Sequence, residues 1–227
     1  MNVQIGDKGS HDSVCDMHIT DAYMRWALEA AEEVAGKNGL GIVLRQANLE
    51  HLIDNYPQEK LAVSGTISYG EYANLNTGLL NFFGRAARSM TIRIGRISTR
   101  RAIDQQSALF GIAALMAAKI MPLSMQLKML FDAQISGFQK LSKSVGEEYV
   151  AHAEDCGDHF IFSIQTCAMC AGKTASQPIC HLYTGTLQES IKWLTGKDLD
   201  VRELECRALG APSCVWQINK KPIDNIG

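Results

Sequence analysis

The hydrophobic period of this chain changes near Val145, and that change limits the fold more than any single motif does. Before it, apolar residues recur at helical spacing. Tyr23, Trp26, Ala27, Ala30 and Val34 make one stripe, which Thr20 or Asp21 can cap and Gly36 stops. "GLGIVLRQANL" reads as a short second helix ended by "DNYP", because the residue before a proline avoids helical angles. Another helix begins near Ser68, with Tyr72, Leu75, Leu79 and Phe82 or Phe83 on one side, and a stretch from about Ala86 to Arg101 follows it. "QQSALFGIAALMAAKI" and "LSMQLKMLFDAQISGFQKLSKSV" are apolar enough for core helices, parted at Pro122.

After Val145 the pattern alternates. "EEYVAHAED" and "DHFIFSIQT" read as strands, with Phe160, Phe162 and Ile164 on one face and Cys156-Gly157-Asp158 as their turn. "CHLYTGTLQESIKWLTG" returns to helix, with Tyr183, Leu187, Ile191 and Leu194 as its stripe and Gly196 as its stop. "DLDVRELECR" and "SCVWQINK" are a second pair of strands. Helices first, then strand, strand, helix, strand, strand, predict an α+β fold with N-terminal helices packed on a small antiparallel sheet.

The 227 residues suffice for one large domain with a substantial core. Residues 1–18 are polar and unpatterned and read as a flexible leader; 19–221 make the domain and 222–227 a tail. A net charge of −2 gives no global pull toward nucleic acid or an anionic membrane. No apolar run reaches the ~20 residues needed to span a bilayer; "ALFGIAALMAAKIMPLSM" is broken by Lys119 and Pro122. The N-terminus lacks the basic start and apolar centre of a signal peptide. Seven cysteines in that setting argue for a reducing cytoplasm, where clustered thiols serve as metal ligands or redox groups more often than as disulfides.

Five of those cysteines fall between Cys167 and Cys214. Cys206 and Cys214 flank the turn "RALGAPS", so a hairpin brings them close. Cys180 opens the intervening helix, where backbone N–H dipoles favour a thiolate. Three such thiolates and one carboxylate make a closed tetrahedral zinc site of the structural kind. Glu203 and Glu205 are the nearby carboxylates, and strand parity is a difficulty for both. Glu203 and Cys206, three apart, point to opposite faces of a regular strand, so a bulge or strand end near Glu205 must re-aim one of them.

The segment Cys180–Ile218 resembles the end of the 4-vinyl-reductase domain, a hydrocarbon-binding family named after a bacteriochlorophyll biosynthesis protein. It supplies the family's run of Cys180, Tyr183-Thr184-Gly185, Val201, Glu203, Cys206, Gly210 and Cys214. The sensor domains of phenol- and xylene-responsive activators are similar here, and in them the matching cysteines and glutamate hold a structural zinc. The resemblance thus implies zinc as cofactor on Cys180, Glu203, Cys206 and Cys214, and favours Glu203 over Glu205. Upstream, "CAMCAG" resembles the cysteine–proline–x–cysteine run of stand-alone members, with Ala168 replacing the proline, which makes Cys167 and Cys170 candidate additional thiols. "NGLGIVLRQANL" and "MTIRIGRISTR" also look like the family's N-terminal part. The family is similar in fold to haem nitric-oxide-binding domains and to transport-particle subunits with an acyl-binding tunnel.

Other signals carry less. Cys167-x-x-Cys170 lacks the parallel strand–helix setting of thioredoxin-like chemistry. His152, His159 and His181 are scattered, and Arg85, Arg88, Arg93, Arg96, Arg100 and Arg101 suit a solvated helix face or an acidic ligand tail. No catalytic set can be assembled from spacing, and no nicotinamide or flavin fingerprint appears. The resemblance therefore implies a stand-alone domain binding a small hydrocarbon or aromatic ligand as sensor or carrier. Reduction of a tetrapyrrole vinyl group, or an accessory role in it, is the enzymatic alternative; a dimeric scaffold is the third. Related domains pair, so a homodimer without direct nucleic-acid contact or a membrane span is expected. The ligand is expected between residues 106–145 and the strands at Tyr149–Ala153 and Phe160–Ile164. Candidate lining residues are Phe110, Ala114, Met121, Met125, Met129, Phe160 and Phe162, with the metal flanking the cavity and not opening into it.

Overall fold

The structure, a computed structural model, describes residues 4–105 and 118–223; Phe110, Ala114 and Met116 lie outside the described residues. It is an α+β fold. Helix α1 (Asp21–Gln46) starts at Thr20, whose hydroxyl accepts from the Tyr23 N–H, and breaks where expected, at Gly36 with φ 74°. A second helical stretch follows the break, as expected, because the non-helical Gly36 (φ 74°, ψ 162°) kinks the span into two helices. Helix α2 (Tyr69–Phe83) begins with a reciprocal cap between Ser68 and Glu71. Helices α3 (Ala87–Gln105), α4 (Leu123–Lys143) and α5 (His181–Thr195) complete the described helices, with Pro122 at the N-cap of α4.

Helices α3 and α5 cross with their backbones in contact. A Cβ at Gly95 would fall 2.0 Å from the Leu182 carbonyl oxygen, and one at Gly185 would fall 2.1 Å from that of Ile92. Each helix has a glycine where the other's main chain passes. Flanking this crossing, Arg96 and Arg100 of α3 both pair with Glu189 of α5, whose side chain is buried. Part of the basic stretch is thus consumed within the fold.

Eight strands are described: β1 (Ile5–Asp7), β2 (His18–Ile19), β3 (Ile67–Ser68), β4 (Ala151–Asp155), β5 (His159–Ile164), β6 (Lys173–Ala175), β7 (Leu199–Glu205) and β8 (Cys214–Pro222). The main sheet is antiparallel in the order β4-β5-β8-β7. Register places Phe160, Phe162 and Ile164 opposite Ile218, Trp216 and Cys214, all six buried on one face. Helix α4 covers it through Phe131, whose ring lies 5.5 Å from Phe160 and 5.2 Å from Phe162. Helix α5 covers it through Tyr183, packed on Trp216, while the Trp216 indole N–H donates to Thr184 at 3.0 Å. Burying each such ring contributes roughly 1.5–3 kcal/mol, with the indole's one polar atom satisfied.

The segment expected as a leader is built into the fold. Residues Ile5–Asp7 pair with Lys173–Ala175, and His18–Ile19 pair with Ile67–Ser68. Asp12, 7% exposed, receives both contacts of the Arg207 Nη2 at 3.0 Å and the Gly172 N–H at 3.1 Å. These partners are long-range, so nothing in the local pattern of residues 1–18 announces them. Among the described residues no helix is long and apolar enough to cross a membrane.

Candidate metal centre and adjoining cavity

Three turns bring the cysteines together. After β5 the chain makes a short 3-10 turn, Ala168–Cys170, with Cys167 before it. Cys180 caps α5. Cys206 ends the strand that follows, and the turn Arg207–Leu209 with Gly210 at φ 93° delivers Cys214 to the start of β8. Asn76 of α2 ties two of these turns together: its side-chain amide donates to the carbonyls of Met169 and Ile179, each at 3.0 Å.

The parity difficulty is resolved by a register shift in β7. Glu203 faces Trp216 and Glu205 faces Val215, so the strand gains one residue between them. This extra residue lets Glu203 and Cys206 serve one site. The Glu203 carboxylate accepts from the Cys180 N–H at 3.0 Å, while Glu205 is exposed.

The donor atoms of Cys180, Glu203, Cys206 and Cys214 all lie within 4.8 Å of one another, as do those of Cys167, Cys170, Cys180 and Cys214. No cysteine of the five is more than 2% exposed, and none is in a disulfide. Sulfur separations are 3.7 Å for Cys180–Cys206, 3.6 Å for Cys180–Cys214, 3.8 Å for Cys167–Cys180 and 3.4 Å for Cys170–Cys214. A tetrahedral ion with zinc–sulfur bonds near 2.3 Å spaces its sulfurs about 3.8 Å apart. The donor set fits zinc in chemistry and in spacing.

The electrostatics also favour a cation. One Glu203 oxygen is buried without a partner, and burial pushes its carboxyl up to about 7 against hydrogen bonds from Cys206 and Cys180. Contact with the Cys167 thiol, and with the other sulfurs, holds Cys170 well below the ordinary thiol range, whereas burial pushes Cys180 well above it. The metal-free cluster thus keeps most of its protons, because a dry site tolerates few uncompensated anions. The Arg207 N–H donates to the Cys214 sulfur at 3.4 Å.

Beside the cluster is a cavity of about 140 Å³. Tyr23, Tyr69, Tyr72, Tyr149 and Tyr183 contribute to its wall from separate parts of the chain, with Phe138 and Trp193. Its polar wall groups include Ser98, Thr99, Thr186 and a Gln134–Ser190 hydrogen bond of 3.1 Å. The Tyr183 hydroxyl, turned toward that of Tyr149, is buried without a partner in hydrogen-bonding range. Cys167 belongs to both sites: it lines the cavity and contacts the Cys180 sulfur. The four expected ligands Cys180, Glu203, Cys206 and Cys214 do not line the cavity, whereas Cys167, outside that set, lies on its wall because the turn carrying it forms part of that wall.

The described members of the expected lining set do not line this cavity. Met125 is 51% exposed, Met121 and Met129 pack half-buried on the core, and Phe160 and Phe162 sit in the sheet beneath Phe131. Phe110 and Ala114 lie outside the described residues. His181 is not among the clustered donors. The tyrosine wall escapes sequence reasoning because its members come from separate elements, and each reads alone as core. Asn76 has a signal, a polar residue next to Leu75 and Leu79 on an apolar helix face. Asp12 has none.

The family model for the 4-vinyl reductase domain matches residues 160–220. This segment is similar to the 4-vinyl reductase domain. It spans β5 to β8 and contains every cysteine of the cluster. Solved structures similar to the whole chain are H-NOX domains. One probes haem distortion in the H-NOX family (TM-score 0.57, 12% identity, covering 90% of this chain and 97% of that one). Another is a Cs H-NOX mutant carrying 4-cyano-L-phenylalanine (0.57, 14%, 90% and 98%). A third is an H-NOX protein from S. oneidensis in the Fe(II)NO state (0.52, 10%, 88% and 98%). No curated protein matches the chain. The 4-vinyl reductase segment therefore sits in an H-NOX-like fold. Its cavity does not fit a haem: among the described residues no histidine lines it, and about 140 Å³ is far short of a four-pyrrole macrocycle. An engineered apolar cavity of about 150 Å³ holds one benzene.

Proposed function

We propose that this chain binds a small aromatic or hydrocarbon ligand, as sensor or carrier, in a domain braced by zinc on Cys180, Glu203, Cys206 and Cys214. The observation that carries the reading is the largely apolar cavity of single-ring size beside a buried set of metal donors. Burial supplies the affinity, at ~25 cal/mol per Å² of apolar surface, and the few wall hydroxyls orient the ligand. Zinc, when bound, supplies no open position in such a four-ligand site; it holds the α5 N-terminus, the β7 bulge and the β8 start in register. The match of residues 160–220 to the 4-vinyl reductase domain supports this reading, since the resemblance implies the same four ligands.

The test uses toluene as probe on the zinc-replete full chain. Saturable binding with a rise in melting temperature is expected, together with zinc in elemental analysis that Cys206→Ser removes. Protein that retains zinc but shows no saturable toluene binding would overturn the ligand half. Protein purified without chelators and free of metal would overturn the zinc half.

A further inference from the structure

The zinc site just proposed uses four of the six donors gathered here and leaves Cys167 and Cys170 over. We propose that the cluster holds two metal ions, bridged by the Cys180 and Cys214 thiolates. Glu203 and Cys206 complete the coordination of one ion, and Cys167 and Cys170 that of the other. This rests on the zinc reading and extends it.

The two four-donor sets share Cys180 and Cys214, and the six donors do not form a single set. One ion therefore cannot serve them all. The geometry on the second side repeats that on the first. The common Cys180–Cys214 edge is 3.6 Å; Cys206 lies 3.7 Å from Cys180, Cys167 lies 3.8 Å from it, and Cys170 lies 3.4 Å from Cys214. These four separations are close to the edge length of a zinc–thiolate tetrahedron, and the Cys180–Cys214 edge belongs to both sets.

Charge points the same way. One divalent ion leaves four of six anionic donors uncompensated in a dry interior, or leaves two thiols protonated in contact with ligand sulfurs. Two ions cancel four of the six charges. A partial positive charge is adjacent, since the N-terminus of α5 opens at Cys180. No electron transfer is involved; each ion binds as a divalent cation and releases the thiol protons to solvent.

Metal counting on the full chain, purified under reducing conditions, tests this. Two zinc ions per chain by elemental analysis and native mass spectrometry are expected. One should remain in Cys167→Ala/Cys170→Ala and one in Glu203→Gln/Cys206→Ala. A wild-type count of one, lost in the second double variant and kept in the first, would overturn the two-ion centre and leave the single-zinc reading standing. A count of one lost only in the first would overturn both, and so would a count of zero. Cadmium-113 NMR of the wild-type chain removes the dependence on variants folding. Two coupled resonances in the thiolate range are expected, and a single resonance at saturation would overturn the proposal.

Discussion

Two interior regions meet at Cys167 and differ in how they are built. The candidate metal centre draws its donors from 48 consecutive positions, Cys167 to Cys214, arranged by two short 3-10 turns, a helix N-terminus and one bulge. The cavity draws its wall from residues scattered between Ile19 and Trp193, each held by its own element. The first is a local device whose polar atoms need a cation. The second is a by-product of how helices fail to fill a space, and it needs only something apolar. Removing the occupant of each should therefore have unequal consequences.

The largest expected effect is chelation. Structural zinc contributes on the order of 10 kcal/mol to folding, so stripping it should lower the melting temperature by about 20 °C or more. Toluene at a hundred times its dissociation constant adds only about 2.7 kcal/mol. Differential scanning calorimetry with and without EDTA checks this, and a shift of a few degrees on chelation would erase the contrast.

Next comes Asp12→Asn. Breaking the Asp12–Arg207 pair leaves a half-buried guanidinium uncompensated, at a cost of roughly 3 kcal/mol. Burial raises the Asp12 carboxyl, but the Gly172 N–H, Arg207 and Lys8 outweigh it and hold it down to about 2 from an ordinary 3.8. The folded state thus binds fewer protons than the unfolded one at moderately acid pH. The stabilisation is complete above about 3.8 and is lost as pH falls through about 2. Urea melts should show that acid limb in the wild type and a flatter one in the variant.

Asn76→Leu should cost roughly 2 kcal/mol, since it leaves the Met169 and Ile179 carbonyls buried without their donor. Zinc affinity, measured by competition with a chelator, should fall more than toluene affinity. The smallest stability change is expected at the cavity. Ala133→Phe fills existing space, so stability should stay within about 1 kcal/mol while toluene affinity falls about tenfold or more. Met125→Trp, on a half-exposed side chain, should change neither, and equal loss of toluene binding in both variants would misplace the site.

The same contrast explains what can be read from sequence. The period change near Val145, the cap at Thr20, the helix start near Ser68, the break at Gly36 and the two strand pairs of the main sheet are local, and the structure has them. A bulge or strand end follows from the three-residue spacing of Glu203 and Cys206 once the family resemblance selects Glu203, and the structure has the bulge. The roles of Asp12 and Asn76 depend on partners more than ninety residues away, and no local pattern encodes such pairings. Adaptable side chains suit ligands, which points to the methionines, yet rigid tyrosines surround the cavity.

The Gly95–Gly185 crossing gives that cavity walls of unequal compliance. Ser98, Thr99 and Ala102 of α3 and Leu182, Tyr183, Thr186 and Ser190 of α5 line it on either side of the crossing. Where main chain rests on main chain there are no rotamers to adjust, so these two helices move only as one plate. On the opposite side Leu130, Gln134 and Phe138 of α4 and Tyr149 present side chains to the cavity, so in the proposed binding role that side is the one that can repack around a guest. On the proposed function, selectivity for ligand size belongs to the plate and tolerance for ligand shape to the facing helix.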